Sequence, residues 1–196
     1  MMSRITIAAI TALVALANAA VPAAAQSRSL TEDAEAWWVN EINQRVAPPA
    51  PFCLNNRGSV TYLLQAYNAG KKTTVCTVRA NNPVVIPIVT TAFSNTTFIG
   101  VMLVEATSII DHATNLSFSL DGHAETITPQ WRTPTTYFIT SATEAQFPMY
   151  TIADGYFATR SFPVGTHVVH TTGCYPSSTP GASPNCTDMT YTLIAK

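Results

Sequence analysis

Charge is scarce in this sequence. Asp, Glu, Lys and Arg together make up 11% of it, and the net charge is −1. There is no Lys/Arg stripe, so the electrostatic footprint of a nucleic-acid binder is missing. Lys71-Lys72 is the only adjacent basic pair, too small a cluster to hold an anionic membrane surface. Beyond the first residues no apolar run is long enough to cross a bilayer. No nucleophile elbow, Gly-rich phosphate loop or HExxH pattern occurs, which removes the reaction classes those motifs carry. The cysteines form no CxxC pair, so a zinc knuckle is excluded. No internal repeat is visible, and nothing in the sequence calls for a cofactor or a metal.

What is present points outward from the cell. Met1-Met2-Ser3-Arg4 is a short positive start, Ile5–Ala17 an apolar run, and Ala23-Ala24-Ala25 a small-residue cleavage site. This predicts a signal peptide over residues 1–25 and a mature start at Gln26. The remaining roughly 170 residues make one domain, residues 26–196, with room for a core. Its four cysteines, Cys53, Cys76, Cys174 and Cys186, are an even count in an exported chain and predict two disulfides. Pairing Cys53 with Cys76 and Cys174 with Cys186 closes a local loop each time. Sequons at Asn95, Asn115 and Asn185 are candidate glycosylation sites in a eukaryotic source. Abundant Thr, Ser and Asn suit a polar, uncharged extracellular surface.

Strand signals dominate the rest. Ala153–Gly173 reads as a strand at Tyr156–Phe162, a Pro163-Val164-Gly165 turn, and a return strand at His167–Thr171. Further strands are predicted at Ser59–Tyr67, Thr73–Ala80, Val84–Val89, Leu116–Leu120, His123–Ile127, Tyr137–Thr140 and Met189–Ala195. Val84–Val89 is continuously apolar, as expected of a strand buried on both faces, and its Pro87 argues for an edge position or a bulge. Asp121-Gly122 is a hairpin turn signal. Phe147–Tyr150 reads as a loop. Two helices are expected. The first opens on a Ser29–Glu32 capping box and carries Ala34, Trp37, Trp38 and Ile42 on one face, with the tryptophans as core anchors. The second spans Val101 to His112, where apolar residues recur every three or four positions. The expected fold is mainly β: an antiparallel β-sandwich, jelly-roll or immunoglobulin-like, with an N-terminal helix and one internal helix.

The ordered pieces resemble an uncharacterised family of secreted bacterial and fungal β-sandwich proteins. The likeness is carried by Cys53 with Gly58-Ser59-Val60-Thr61-Tyr62-Leu63, Cys76-Thr77-Val78, Ile86-Pro87-Ile88-Val89, Leu120-Asp121-Gly122, Asp154-Gly155-Tyr156, Pro163-Val164-Gly165-Thr166-His167 and Thr190–Leu193. It spans nearly the whole mature chain. It implies the fold and secretion, and brings no activity with it.

The candidate site residues follow from side-chain chemistry. Trp131 and Arg132, with Tyr137, Tyr150 and Tyr156, form the densest aromatic and cationic group, suited to a sugar or a protein strand. His167 and His170 lie three apart in a strand, project to opposite faces and cannot share a metal; His167 is expected to bond its own turn. Asp121 and Asp154 both precede Gly and read as turn residues. Glu105 and Asp111 are expected on a solvated helix face. The expectation is therefore a secreted, non-catalytic module binding an extracellular glycan or protein through Trp131, Arg132, Tyr156 and His167. The alternative is an enzyme, a hydrolase or small-molecule isomerase, whose pocket gathers Arg132, Asp154 and His167.

Overall fold

The computed structural model describes residues 29–45, 53–55, 60–66, 70–95, 99–133, 139–141, 149–177 and 179–196. The expected signal peptide, Ile42's side chain, Tyr137 and Phe147-Pro148 lie outside the described residues. Chain order is α1 (Leu30–Arg45), β1 (Cys53–Asn55), β2 (Thr61–Leu63), β3 (Lys72–Val78), β4 (Pro83–Asn95), α2 (Ile99–Asp111), β5 (Thr114–Leu120), β6 (His123–Glu125), a 3-10 turn (Pro129–Trp131), β7 (Ile139–Ser141), β8 (Met149–Ser161), β9 (Gly165–Tyr175) and β10 (Asn185–Ala195). The fold is mainly β, with two helices and two sheets. One sheet runs β1-β2-β4-β8-β7 and the other β3-β10-β9-β5-β6. The sheets are mixed, not antiparallel as expected: β2 runs parallel to β4, and β3 parallel to β10.

The largest correction concerns the expected hairpin. β8 pairs with β4 and β7, while β9 pairs with β10 and β5. Pro163 and Val164 therefore carry the chain from one sheet to the other. The link is short enough for either geometry; the partners of each strand decide. β8 also begins at Met149, so Met149 and Tyr150 are strand residues, and among the described residues of the predicted Ser59–Tyr67 strand only Thr61–Leu63 are strand. Pro87 sits in a central strand, and the expected irregularity is there: the β4–β8 register shifts between Pro87 and Val89. β2 pairs with β4 only at Val84 and Val85, so Pro87, which has no N–H, interrupts no ladder on that side.

Asp121 and Gly122 both have positive φ, 51° and 81°. This is the backbone a two-residue β-hairpin turn requires, and it sets β6 beside β5.

A core of inward side chains joins the two sheets: Leu63, Val84, Ile86, Ile88 and Ala158 from one, Cys76, Val78, Phe118, Val169, Met189, Tyr191 and Leu193 from the other. The helices take opposite faces of the first sheet. α1 covers Val85, Ala153 and Phe157; α2 covers Phe93 and Ile152. Because neighbouring strand residues point to opposite faces, Ile152 shares its face with Ala158. Sheet two and α2 therefore lie side by side on one face of sheet one. α1 forms where predicted: Ser29 N–H donates to Glu32 Oε2 at 2.8 Å and Glu32 N–H to Ser29 Oγ at 3.2 Å. Trp37 and Trp38 are buried anchors, with Trp37 edge-on to Phe157 at 5.2 Å between ring centres.

Both predicted disulfides are present. Cys53–Cys76 joins the edge strands β1 and β3 of the two sheets. Cys174–Cys186 joins residues directly opposite each other on β9 and β10. Asn95 ends β4 and Asn185 begins β10. Asn115 lies exposed in β5 with φ 54°, inside a register shift against β9.

Candidate functional site

Four of the singled-out residues share one neighbourhood. Asp154 lies in β8, fully buried and not in a turn. It is two residues from Ile152, under α2, and two from Tyr156, which packs on the intersheet core. It therefore sits at the seam between α2 and the second sheet. Arg132 fills that seam. Its Nη2 donates to Asp154 Oδ2 at 2.6 Å and its Nε to the same oxygen at 3.2 Å. Nη1 meets Asp111 at the end of α2, and Nη2 also donates to the Thr107 carbonyl at 3.3 Å. A cation at a helix C-terminus is favoured by the helix dipole. Arg132 forms an antiparallel bridge with Tyr156, and Thr133 N–H donates to the Gly155 carbonyl at 3.0 Å.

Burial pushes the Asp154 carboxyl up; the Arg132 guanidinium and the Gly155 N–H pull it back without cancelling that rise. Burial works against the Arg132 charge, yet the hydrogen bonds to Asp154 and Asp111 hold it above its ordinary value. Asp111 is thus an exposed carboxylate with a partner, not a purely solvated residue.

Trp131 turns the other way. Its ring meets Phe118 edge-on at 5.2 Å and lies under the Arg160 guanidinium at 4.8 Å. Arg160, on β8, also pairs with Glu125 of β6 at 2.5 Å, tying one sheet to the other on the side away from the Cys53–Cys76 bridge. Beside this stack opens a cleft of about 280 Å³, lined by Leu30, Asp33, Trp131, Phe157, Thr159 and Arg160. The N-terminal end of α1 forms one wall and the 3-10 turn the other. Thr159 Oγ1 donates to Asp33 Oδ2 at 2.9 Å, which fixes a carboxylate and a hydroxyl in the cleft wall.

His167 lies elsewhere. Its Nδ1 is 2.9 Å from Asp121 Oδ2 and its Nε2 is 3.1 Å from the Pro163 carbonyl. Both partners only accept, so making both bonds requires the doubly protonated ring. The pKa is accordingly raised, first by the Asp121 hydrogen bond. Asp121 is lowered, first by His167 and next by the Val168 N–H. His170 faces Asp188 at 2.9 Å, so the two histidines serve different carboxylates, as their spacing predicted. None of the partners of His167 is a partner of Arg132. Among the described residues no group of three or more His, Cys, Asp or Glu is placed to hold a metal ion.

No family model, curated protein or solved structure matches this chain.

The site must therefore be read from its own chemistry. The structure brings Trp131, Arg132, Asp154 and Tyr156 together and leaves His167 out. Arg160, Asp33 and Thr159 were not singled out in the sequence. Arg160 could have been found by strand parity, since it shares a β8 face with Asp154 and Tyr156. Asp33 could not, because its partner Thr159 lies 126 residues away.

Proposed function

We propose that this chain is a secreted, non-catalytic binding module for an extracellular glycan, built as a β-sandwich with its site in the cleft between α1 and the 3-10 turn. The observation that carries the reading is the lining of that cleft. Trp131 offers an aromatic ring with a polar N–H. The half-buried Thr159 and Arg160 offer polar groups that a sugar's hydroxyls can use, with Asp33 buried behind them. The volume, about 280 Å³, falls just below the usual range of ligand pockets, which starts at ~300 Å³, and so suits a small group such as a sugar ring and not a protein surface. The resemblance to secreted β-sandwich proteins and the two disulfides support export. Where the host reads sequons, Asn95, Asn115 and Asn185 would carry glycan, Asn115 most readily because it is exposed.

The enzyme reading has less behind it. Arg132 and Asp154 satisfy each other inside the protein, and His167 is spent on Asp121 and Pro163.

A glycan array with a parallel pull-down from extracellular material tests the proposal. The wild-type protein should bind at least one neutral or acidic glycan. Trp131→Ala should weaken that binding about tenfold or more, as loss of a buried aromatic anchor does, while keeping the wild-type circular dichroism. Capture of a protein with a silent array would replace the glycan by a protein partner; silence in both would end the reading.

A further inference from the structure

The two disulfides stand in different surroundings. Cys76 is buried in the core that joins the sheets, and Cys53 reaches it from β1. Cys174 and Cys186 are half-buried and directly opposite each other on β9 and β10. Their neighbours Gly173 and Thr187 are buried inward, so strand alternation turns both sulfurs to the outer face of the second sheet. The β9–β10 ladder runs on from Thr187 and Gly173 to Ala195 and Gly165. Opening this bridge therefore leaves two thiols side by side on strands that stay paired.

Each sulfur has its own neighbourhood. A cleft of about 460 Å³ opens on Cys186, with Lys71, Pro184 and Asp188 on its wall. Lys71 brings a positive charge to that wall, while Asp188 is bonded to His170 Nε2 at 2.9 Å. Cys174 faces Asn115, whose Nδ2–H donates toward Cys174 Sγ at 4.0 Å. The irregularity in β5 makes this contact. Thr114 lies opposite Cys174 and Ser117 opposite Thr172, so Asn115 and Leu116 together face the single Gly173. Asn115 takes φ 54° there, a backbone that Asn adopts more readily than most residues. Such bulges re-aim a side chain, and this one aims an amide at a sulfur. A neutral disulfide sulfur is a weak acceptor, whereas a thiolate gains from a nearby donor.

We propose that Cys174–Cys186 is a thiol–disulfide exchange site for a small aliphatic thiol. The incoming thiolate enters the cleft beside Lys71 and attacks Cys186 Sγ, forming a new S–S bond. The Cys174–Cys186 bond breaks, and Cys174 leaves with the electron pair as a thiolate that accepts from Asn115 Nδ2–H. A second thiolate attacks the incoming sulfur of this mixed disulfide and releases Cys186 as a thiolate. The two protons that the attacking thiols lost on ionising return to the two cysteines. Two small thiols are thus oxidised to their disulfide, and the protein bridge is reduced to two thiols; the reverse sequence closes it. Exchange is faster when the leaving thiol ionises easily, and this separates the two bridges. Attack on Cys53 would release Cys76 as a thiolate inside the apolar core, where ionisation is disfavoured. Where a glycan is attached at Asn115, Nδ2 keeps one N–H.

Reduced glutathione, added to the folded protein without denaturant, tests this. Samples are quenched with N-ethylmaleimide over time, each cysteine is located by mass spectrometry, and circular dichroism is followed in parallel. Cys174 and Cys186 should open about tenfold or more faster than Cys53 and Cys76, with the dichroism unchanged. The trapped glutathione should sit on Cys186. Asn115→Asp keeps a residue that tolerates positive φ but sets a carboxylate against the leaving sulfur. It should slow the opening about threefold or more while the urea midpoint stays where it was. Labelling of all four cysteines together, labelling only once the protein unfolds, or earlier opening of Cys53–Cys76 overturns the proposal. Glutathione trapped on Cys174 overturns the direction of attack, and an Asn115→Asp rate equal to that of the wild type overturns the role of Asn115.

Discussion

Arg132 is the residue on which the seam between α2 and the second sheet depends. Removing it leaves Asp154 buried with no cation, and breaking a buried pair from one side costs about 3–5 kcal/mol. Arg132→Met should therefore lower the unfolding free energy measured in urea by that much. Arg132→Met combined with Asp154→Leu should recover most of it, because an apolar pair needs no compensation. A single variant costing less than about 1 kcal/mol would show that Asp154 has water or another donor beside it. His167 and Asp121 make a second residue-scale prediction. His167 is raised above 6.5, so its contribution is complete below that pH and is lost as pH rises through the raised value. Asp121 is lowered below 3.8, so its contribution is present above 3.8 and is lost as pH falls through the lowered value. The stability difference between wild type and His167→Asn should thus be largest in mildly acidic solution and shrink toward alkaline pH. An NMR titration should place the His167 pKa above 6.5; a value at or below it contradicts the doubly bonded ring.

At the scale of elements, the β4 irregularity and β9 fit each other. A Cβ built on Gly173 would lie 2.8 Å from Val89 Cβ, 3.1 Å from Leu116 Cδ2 and 3.3 Å from the Ile88 carbonyl. The bulged part of β4 approaches β9 closely enough that only glycine fits. Gly173→Ala should destabilise by about 1–3 kcal/mol, the usual cost of overpacking, measured as a lower urea midpoint with unchanged slope. The elements also show what a sequence can reveal. α1 was legible because its start is written in adjacent residues, Ser29 and Glu32. α2 was legible because its apolar period is local, and the Asp121-Gly122 hairpin because both turn residues tolerate positive φ. Asp154-Gly155 carries the same dipeptide and is no turn. Its meaning comes from Arg132, 22 residues away, and a dipeptide does not encode that. The link at Pro163-Val164 was misread for a related reason: its length permits both a hairpin and a crossing, and β4 and β5, remote in sequence, settle the matter.

The whole molecule is two sheets fastened on both open sides. On one side Cys53–Cys76 spans from β1 to β3; on the other Arg160 reaches from β8 to Glu125 of β6 and stacks on Trp131. Cys174–Cys186 differs, since it links strands already paired along their length. Loop-closure entropy is similar for the two bridges, about 3 kcal/mol each for separations of 23 and 12 residues. The local effects should differ. Cys53→Ser with Cys76→Ser should raise hydrogen exchange in β1 and β3 selectively. Cys174→Ser with Cys186→Ser should leave β9 and β10 amides protected. Equal protection of β3 in both variants would mean that the intersheet bridge holds nothing the core does not already hold. The disulfide pairing was legible from proximity along the chain. The division of the strands between two layers was not, because it depends on partners chosen across the molecule.

β10 lies between β3 and β9, and its inward residues Met189, Tyr191, Leu193 and Ala195 are buried in the common core. It is also made long after β3, the strand it runs parallel to. A chain stopped before Asn185 would lack the middle of its second sheet, leaving β3 and β9 each with an unmet side. Nascent chains that have not yet reached Asn185 therefore cannot lock into the final arrangement, and deletion of β10 should unfold the protein rather than merely shorten it.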